Sequence, residues 1–169
     1  MLQARVLIYS GIFLTCSLIG ILKSKKYTYR EEELKEFKNA LNIFKTKIKY
    51  TYEPIPEIFQ QISDSIDPII GGIFRVASNN MKFCPAGDAW NKAIDTDILN
   101  INVEDKNVLK NLSKMLGTTD MEGQISQIDI TSNFLDEQIR KAEKERQKSE
   151  GLYRKLGAIV GLVIVIILI

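Results

Sequence analysis

Residues 117–169 read GTTDMEGQISQIDITSNFLDEQIRKAEKERQKSEGLYRKLGAIVGLVIVIILI, and the stretch changes character twice. Gly117 reads as the left-handed stop of a preceding helix. Thr119-Asp120-Met121-Glu122 follows as a capping box, in which Thr119 and Glu122 satisfy each other's backbone donors. Ile125, Ile128, Ser132, Leu135, Ile139 and Ala142 then recur at spacings of three and four, the pattern of one helix face. Beyond Ala142 the apolar stripe stops while helix-formers continue through Glu143 to Lys148, and a helix polar all round is a solvated spacer. From Leu156 to Ile169 come 14 residues without a charge, and no Pro intervenes. The reading is one helix that leaves a bundle, crosses a polar stalk and enters lipid, with Gly151 the soft point before the boundary.

The other end of the chain answers it. Val6 to Leu22 is a 17-residue run without a charge. At roughly 1.5 Å per residue that is the lower edge for spanning about 30 Å of hydrocarbon. The C-terminal run is shorter, so Arg154 and Lys155 must snorkel and Tyr153 must sit at headgroup level. Ile21-Leu22-Lys23-Ser24-Lys25 offers no small-x-small cleavage site, and the apolar run continues past Cys16. An uncleaved membrane helix is therefore expected, rather than a signal peptide or a lipidated Cys16. Lys23, Lys25, Lys26 and Arg30 crowd the inner flank, and the positive-inside rule puts residues 27–153 in the cytoplasm. Tyr27, Tyr29 and Tyr153 read as interfacial anchors. The formal net charge of +2 divides accordingly: without Arg5, Lys23, Lys25, Lys26, Arg154 and Lys155, 17 basic residues face 21 acidic ones.

Between the apolar ends the pattern is helical. Leu34, Phe37, Leu41, Phe44 and Ile48 mark an amphipathic helix that has Glu31 to Glu33 in its first turn and is ended by Pro54 and Pro56. Ile58, Phe59, Ile62 and Ile66 mark a second. Asp67 caps a third, with Pro68 at its first position and Ile69, Ile70, Ile73, Phe74 and Ala77 on its apolar face. Asp88 is read as the cap of a fourth carrying Ala89, Trp90, Ala93 and Ile94. A fifth is expected over Glu104–Leu116. No stretch alternates with period two, so no sheet is expected. The fold class is all-α: a bundle of about six helices flanked by N- and C-terminal membrane helices. Its parts are residues 1–26 (membrane segment and basic flank), 27–142 (bundle), 143–155 (stalk) and 156–169 (membrane segment).

Little in the composition points to chemistry. The chain has no histidine, so the usual general base and the usual triad base are absent. Its two cysteines make neither a disulfide scaffold nor a zinc site. Cys84 has no basic neighbour in sequence to lower its pKa. Gly71-Gly72 lacks the Lys-Ser/Thr of a phosphate loop and reads as a turn or a close helix contact. Asp64/Asp67 and Asp95/Asp97 lie near helix ends, where caps are the commoner role. The balanced charge does not favour nucleic acid. No catalytic residue, metal or cofactor is expected. Gly157-x-x-x-Gly161 permits self-association through membrane helices.

The order and spacing of three motifs resemble the stage III sporulation protein AB family. They are Ala89-Trp90; Leu116-Gly117-x-x-Asp120-x-x-x-Gln124; and Tyr153-Arg154-x-Leu156-Gly157-x-x-x-Gly161 with its Ile/Leu/Val ending. The similarity runs over nearly the whole chain, although Asn79–Asp105 matches little beyond Ala89-Trp90. It implies a nonenzymatic structural part of a transenvelope channel complex in endospore formation, in the mother-cell membrane around the forespore. It further implies a helical domain similar to the inner-membrane platform protein of type II secretion and type IV pilus machines. The partners it implies are a secretion-type ATPase, stage III sporulation protein AA, and other stage III channel proteins. An alternative is a membrane-tethered adaptor or sensor that binds a soluble regulator without an ATPase. Trp90, Gly117, Asp120, Gln124, Tyr153, Gly157 and Gly161 are the motif positions, with packing or capping as the competing role for Trp90, Asp120 and Gln124.

Overall fold

The computed structural model describes residues 2–168, with the side chains of residues 2–9, 13, 150, 154 and 168 excepted. The N-terminal part of the first apolar run and Arg154, expected to snorkel, thus lie outside the described side chains. The elements are α1 (Leu2–Thr51), α2 (Ile55–Ser65), α3 (Pro68–Asn80), α4 (Ala86–Ile94), α5 (Val103–Lys110), a 3-10 turn (Asn111–Lys114) and α6 (Met121–Leu168). Six α-helices and no strand occur among the described residues, as the periodicity predicts.

The sequence reading starts a helix near Glu31, but α1 runs unbroken from Leu2. Nothing between Leu22 and Leu34 stops a helix: there is no Pro or Gly, and the Ser24 hydroxyl bonds back to Ile21 O at 2.8 Å. The acids at 31–33 are therefore mid-helix residues and not a solvated first turn. At the other end, Tyr52 takes a left-handed φ of 54° and Pro54 follows, which ends the helix.

Residues 32–140 form one compact unit. Its core is a row of aromatic rings. Phe44 meets Phe59 edge-on at 5.0 Å, Phe59 meets Phe74 at 5.0 Å, and Phe74 meets Trp90 at 5.1 Å. These four rings, one from each of α1 to α4, are fully buried. Leu109 of α5 and Ile128 and Leu135 of α6 complete the interior. Truncating any one of these rings to Ala should cost about 3–5 kcal/mol.

Local geometry adjusts several expectations. Asp67 caps α3 as expected, accepting from Ile69 N at 2.9 Å. Ile69, however, is exposed: it sits in the first turn, off the stripe of Ile70, Ile73, Phe74 and Ala77. Gly71 is a close helix contact, since a Cβ there would meet Ser63 O of α2 at 2.5 Å, whereas Gly72 faces open space. Pro85, not Asp88, precedes α4, and Asp88 lies in its first turn. The fifth helix stops at Lys110 and tightens into the 3-10 turn.

Residues 1–31 and 141–169 form the second unit. It brings the start of α1 beside the end of α6, running antiparallel. Among the described residues, no helix is long and apolar enough to cross a membrane.

Candidate functional site

The polar stretch of α6 after Ala142 has a partner in α1. Arg30 Nη1 stands 2.6 Å from Glu145 Oε2, and Arg146 Nε stands 3.1 Å from Glu31 Oε2. The Arg30 and Glu31 side chains are 6% and 5% exposed, so these ion pairs are shielded on the α1 side and open on the other. One turn back along α1 and two turns on along α6, the Tyr27 and Tyr153 rings stack at 5.7 Å with 20° between their planes. The bond to Tyr153, then burial, raises the Tyr27 hydroxyl above its ordinary pKa.

Past the tyrosines the two backbones touch. A Cβ on Gly20 would lie 2.7 Å from Tyr153 O and 3.0 Å from Gly157 Cα. A Cβ on Gly157 would lie 2.9 Å from Cys16 O. Only glycine allows this approach, and side chains at these two positions would separate the helices. Gly161, one turn on, is buried. Gly157 therefore serves a contact within the chain, between its two ends. Sequence alone does not single out Gly20, because its partner lies 137 residues away.

The remaining motif residues lie in residues 32–140. Trp90 is fully buried and donates its indole N–H to Leu109 O at 2.8 Å, which ties α4 to the end of α5. Gly117 has φ +75°, the left-handed stop expected of it. Asp120, rather than Thr119, caps α6: its Oδ1 accepts from Gly123 N at 2.9 Å. The box shifts by one residue because α6 begins at Met121, which puts Gly123 and not Glu122 at the third position. Gln124 folds back so that its Nε2 donates to Thr119 O at 3.2 Å. Gly117, Asp120 and Gln124 thus form one local turn at the start of α6, while Trp90 belongs to the core.

Three of the four carboxylates in the two pairs have structural partners. Asp64 accepts from Arg75 at 2.9 Å and Asp95 from Lys110 at 2.5 Å, while Asp67 caps α3. Hydrogen bonds from Gln60 and then from Arg75 hold Asp64 below its usual pKa. Glu31, Glu33 and Asp105 are buried carboxylates that sequence inspection misses, and Glu33 is held by a loop. Glu33 accepts from Asn100 N at 2.7 Å and from Asn100 Nδ2 at 2.6 Å, clamping the loop before α5 onto α1. Burial raises its pKa, against the lowering effect of the Asn100 bonds, and Asp67 adds a smaller upward push. Two further ion pairs hold α1 to α6, Lys38 with Asp136 at 2.5 Å and Lys45 with Asp129 at 2.6 Å.

A family model for stage III sporulation protein AB matches residues 5–169. The chain belongs to the stage III sporulation protein AB family. It is similar to the Stage III sporulation protein AB of Bacillus subtilis (strain 168), at 25% identity over 153 residues covering 88% of this chain and 90% of that one. A solved structure of a Stage III sporulation protein AB shares the fold, with a TM-score of 0.66 and 22% identity. That likeness covers 71% of this chain and 98% of the solved one. Each of the three motifs that carry the family resemblance has an identifiable structural role here. Trp90 closes the core, Gly117–Gln124 stops one helix and caps the next, and Tyr153 and Gly157 pair the two chain ends.

Proposed function

We propose that this protein is a membrane-anchored structural component of a sporulation channel complex between mother cell and forespore. In this reading its helical unit is a platform for a secretion-type ATPase, stage III sporulation protein AA, and the two ends of the chain hold that platform at the mother-cell membrane. The observation that carries the reading is the paired ends of α1 and α6. Around the Gly20–Gly157 contact the apolar side chains point outward: Leu18 is 57% exposed, Leu22 66%, Ile159 57% and Ile166 62%. A face so apolar is costly in water and is covered by lipid or protein. The charge supports a membrane level: residues 1–31 and 141–169 hold 11 basic against 4 acidic residues, while 32–140 hold 12 against 17.

A helix pair also fits a mechanical part. α6 contributes residues to both units, and its polar stretch is braced by Arg30 and Glu31 of α1. An ATPase on the helical unit would act on the membrane pair through this braced segment. The buried carboxylates Glu33, Glu31 and Asp105 are engaged by Asn100, by Arg146 and by the cap of α5, and the proposed role is nonenzymatic. Topology tests it directly. Cys16 and Cys84 are the two thiols of the chain. With the chain expressed in vegetative cells, so that it enters the outer cell membrane, Cys84 of intact protoplasts should react with a membrane-permeant maleimide and resist an impermeant one. Labelling of Cys84 by the impermeant reagent would reverse the orientation, and release of the chain by alkaline carbonate would remove the anchor.

A further inference from the structure

The close approach at Gly20 and Gly157 leaves a groove of about 300 Å³ along one side of the helix pair. On α1 it is lined by Cys16, Ile19, Gly20 and Lys23, and on α6 by Leu156, Gly157 and Val160 above the Tyr153 ring. Both sets follow the i, i+3, i+4, i+7 spacing, so each helix presents a single face to the groove. The walls are apolar, and the one charged group on them is Lys23, at the end towards the tyrosines. Lys23, Lys25, Lys26 and Lys155 are all exposed. No acidic residue occurs in 2–30 or in 151–168, so no carboxylate of these segments competes for them.

We propose that this groove holds one acyl chain of an anionic phospholipid, with Lys23 on its phosphate. The proposal rests on the membrane reading above. A long apolar trough with a single cation at its headgroup end matches an acidic lipid in both shape and charge. A second protein helix would leave Lys23 facing an apolar surface with no anion to meet it. A zwitterionic lipid would fill the trough equally well but gain less from the surrounding lysines.

The test uses the full-length chain extracted from membranes in mild detergent, with phosphatidylglycerol or phosphatidylcholine added and retained lipid counted by native mass spectrometry. The expected result is one phosphatidylglycerol per chain, preferred by roughly fivefold, the factor that one basic contact near an anionic surface supplies. Lys23→Gln should narrow the preference markedly, and Cys16→Trp, which fills the groove, should lower retention of both. If Cys16→Trp does not accumulate, Lys23→Gln alone decides. Equal retention of the two lipids by the wild-type chain would overturn the proposal, as would a preference unchanged in Lys23→Gln. A two-chain mass without lipid would assign the groove to a second copy and overturn it also. Carbonate extraction run in parallel separates the two readings. A chain that resists extraction but shows no lipid preference sinks the lipid site alone, whereas an extractable chain sinks the membrane reading as well.

Discussion

Gly20 and Gly157 meet backbone to backbone, so closely that a β-carbon on Gly20 would stand 3.0 Å from Gly157 Cα. The two ends of the chain are therefore one packed element. Gly20→Leu or Gly157→Leu should force the helices apart, since the obstacles are backbone atoms that cannot rotate away. Limited trypsin treatment of membranes should then cut more readily at Lys25 and Lys26. Unchanged cleavage would show that the contact does not hold the pair together.

Arg30 is buried and its partner Glu145 is half exposed, which makes the pair asymmetric. Arg30→Glu should destabilise the helix pair by about 1–3 kcal/mol, the range for a charged hydrogen bond left unmade. The double variant Arg30→Glu with Glu145→Arg should recover part of that loss. Thermal unfolding of the full-length chain in detergent, followed by circular dichroism, reads both. Failure of the second substitution to help would mean that the pair is incidental.

Trp90 fills the core and also donates to Leu109 O. Trp90→Phe keeps most of the packing and loses the donor, so it should cost about 1–3 kcal/mol for the carbonyl left unpaired. Trp90→Ala should cost about 3–5 kcal/mol. Urea unfolding monitored by circular dichroism checks the order; equal losses would assign Trp90 to packing alone.

Glu33 supplies a pH dependence of definite sign. Its folded-state pKa is raised above the ordinary 4.5, so the folded chain binds this proton more tightly than the unfolded one. Its contribution to stability is therefore complete below the ordinary value and is lost as pH rises through the raised one. Urea midpoints compared with Glu33→Gln across this window should show the wild type losing ground as pH increases. A difference independent of pH would contradict the assignment.

Inserting Gly-Pro after Lys144 should break α6 within its braced polar segment. Pro removes a backbone donor and clashes with the preceding turn, at roughly 3 kcal/mol or more. If α6 transmits force, sporulation should fail while the chain still accumulates in membranes with its core helices folded. Normal spore yields would argue against mechanical transmission.

The amphipathic stripes are legible in the sequence because burial follows period 3.6, and Leu34, Phe37, Leu41 and Phe44 are all fully buried. The cap at Asp67 is legible too, because Asp followed by Pro is a local signal. Relations between distant residues are not. Arg30, Glu31 and Glu33 look like a solvated charge cluster until Glu145, Arg146 and Asn100 are placed beside them. The polar stretch after Ala142 looks like a lone stalk for the same reason. Gly20 sits in an apolar run where a glycine carries no local meaning, and its role follows only from Gly157.

The most direct test of the platform reading places a photoreactive amino acid at Val76 or at Phe83, which are 49% and 88% exposed on the helical unit. The full-length chain is irradiated in sporulating cells and its adducts are identified by mass spectrometry. A platform should give an adduct with a secretion-type sporulation ATPase from at least one position, in a membrane fraction that resists carbonate. Adducts confined to a soluble regulator, with no ATPase at either position, would contradict it and favour a tethered adaptor.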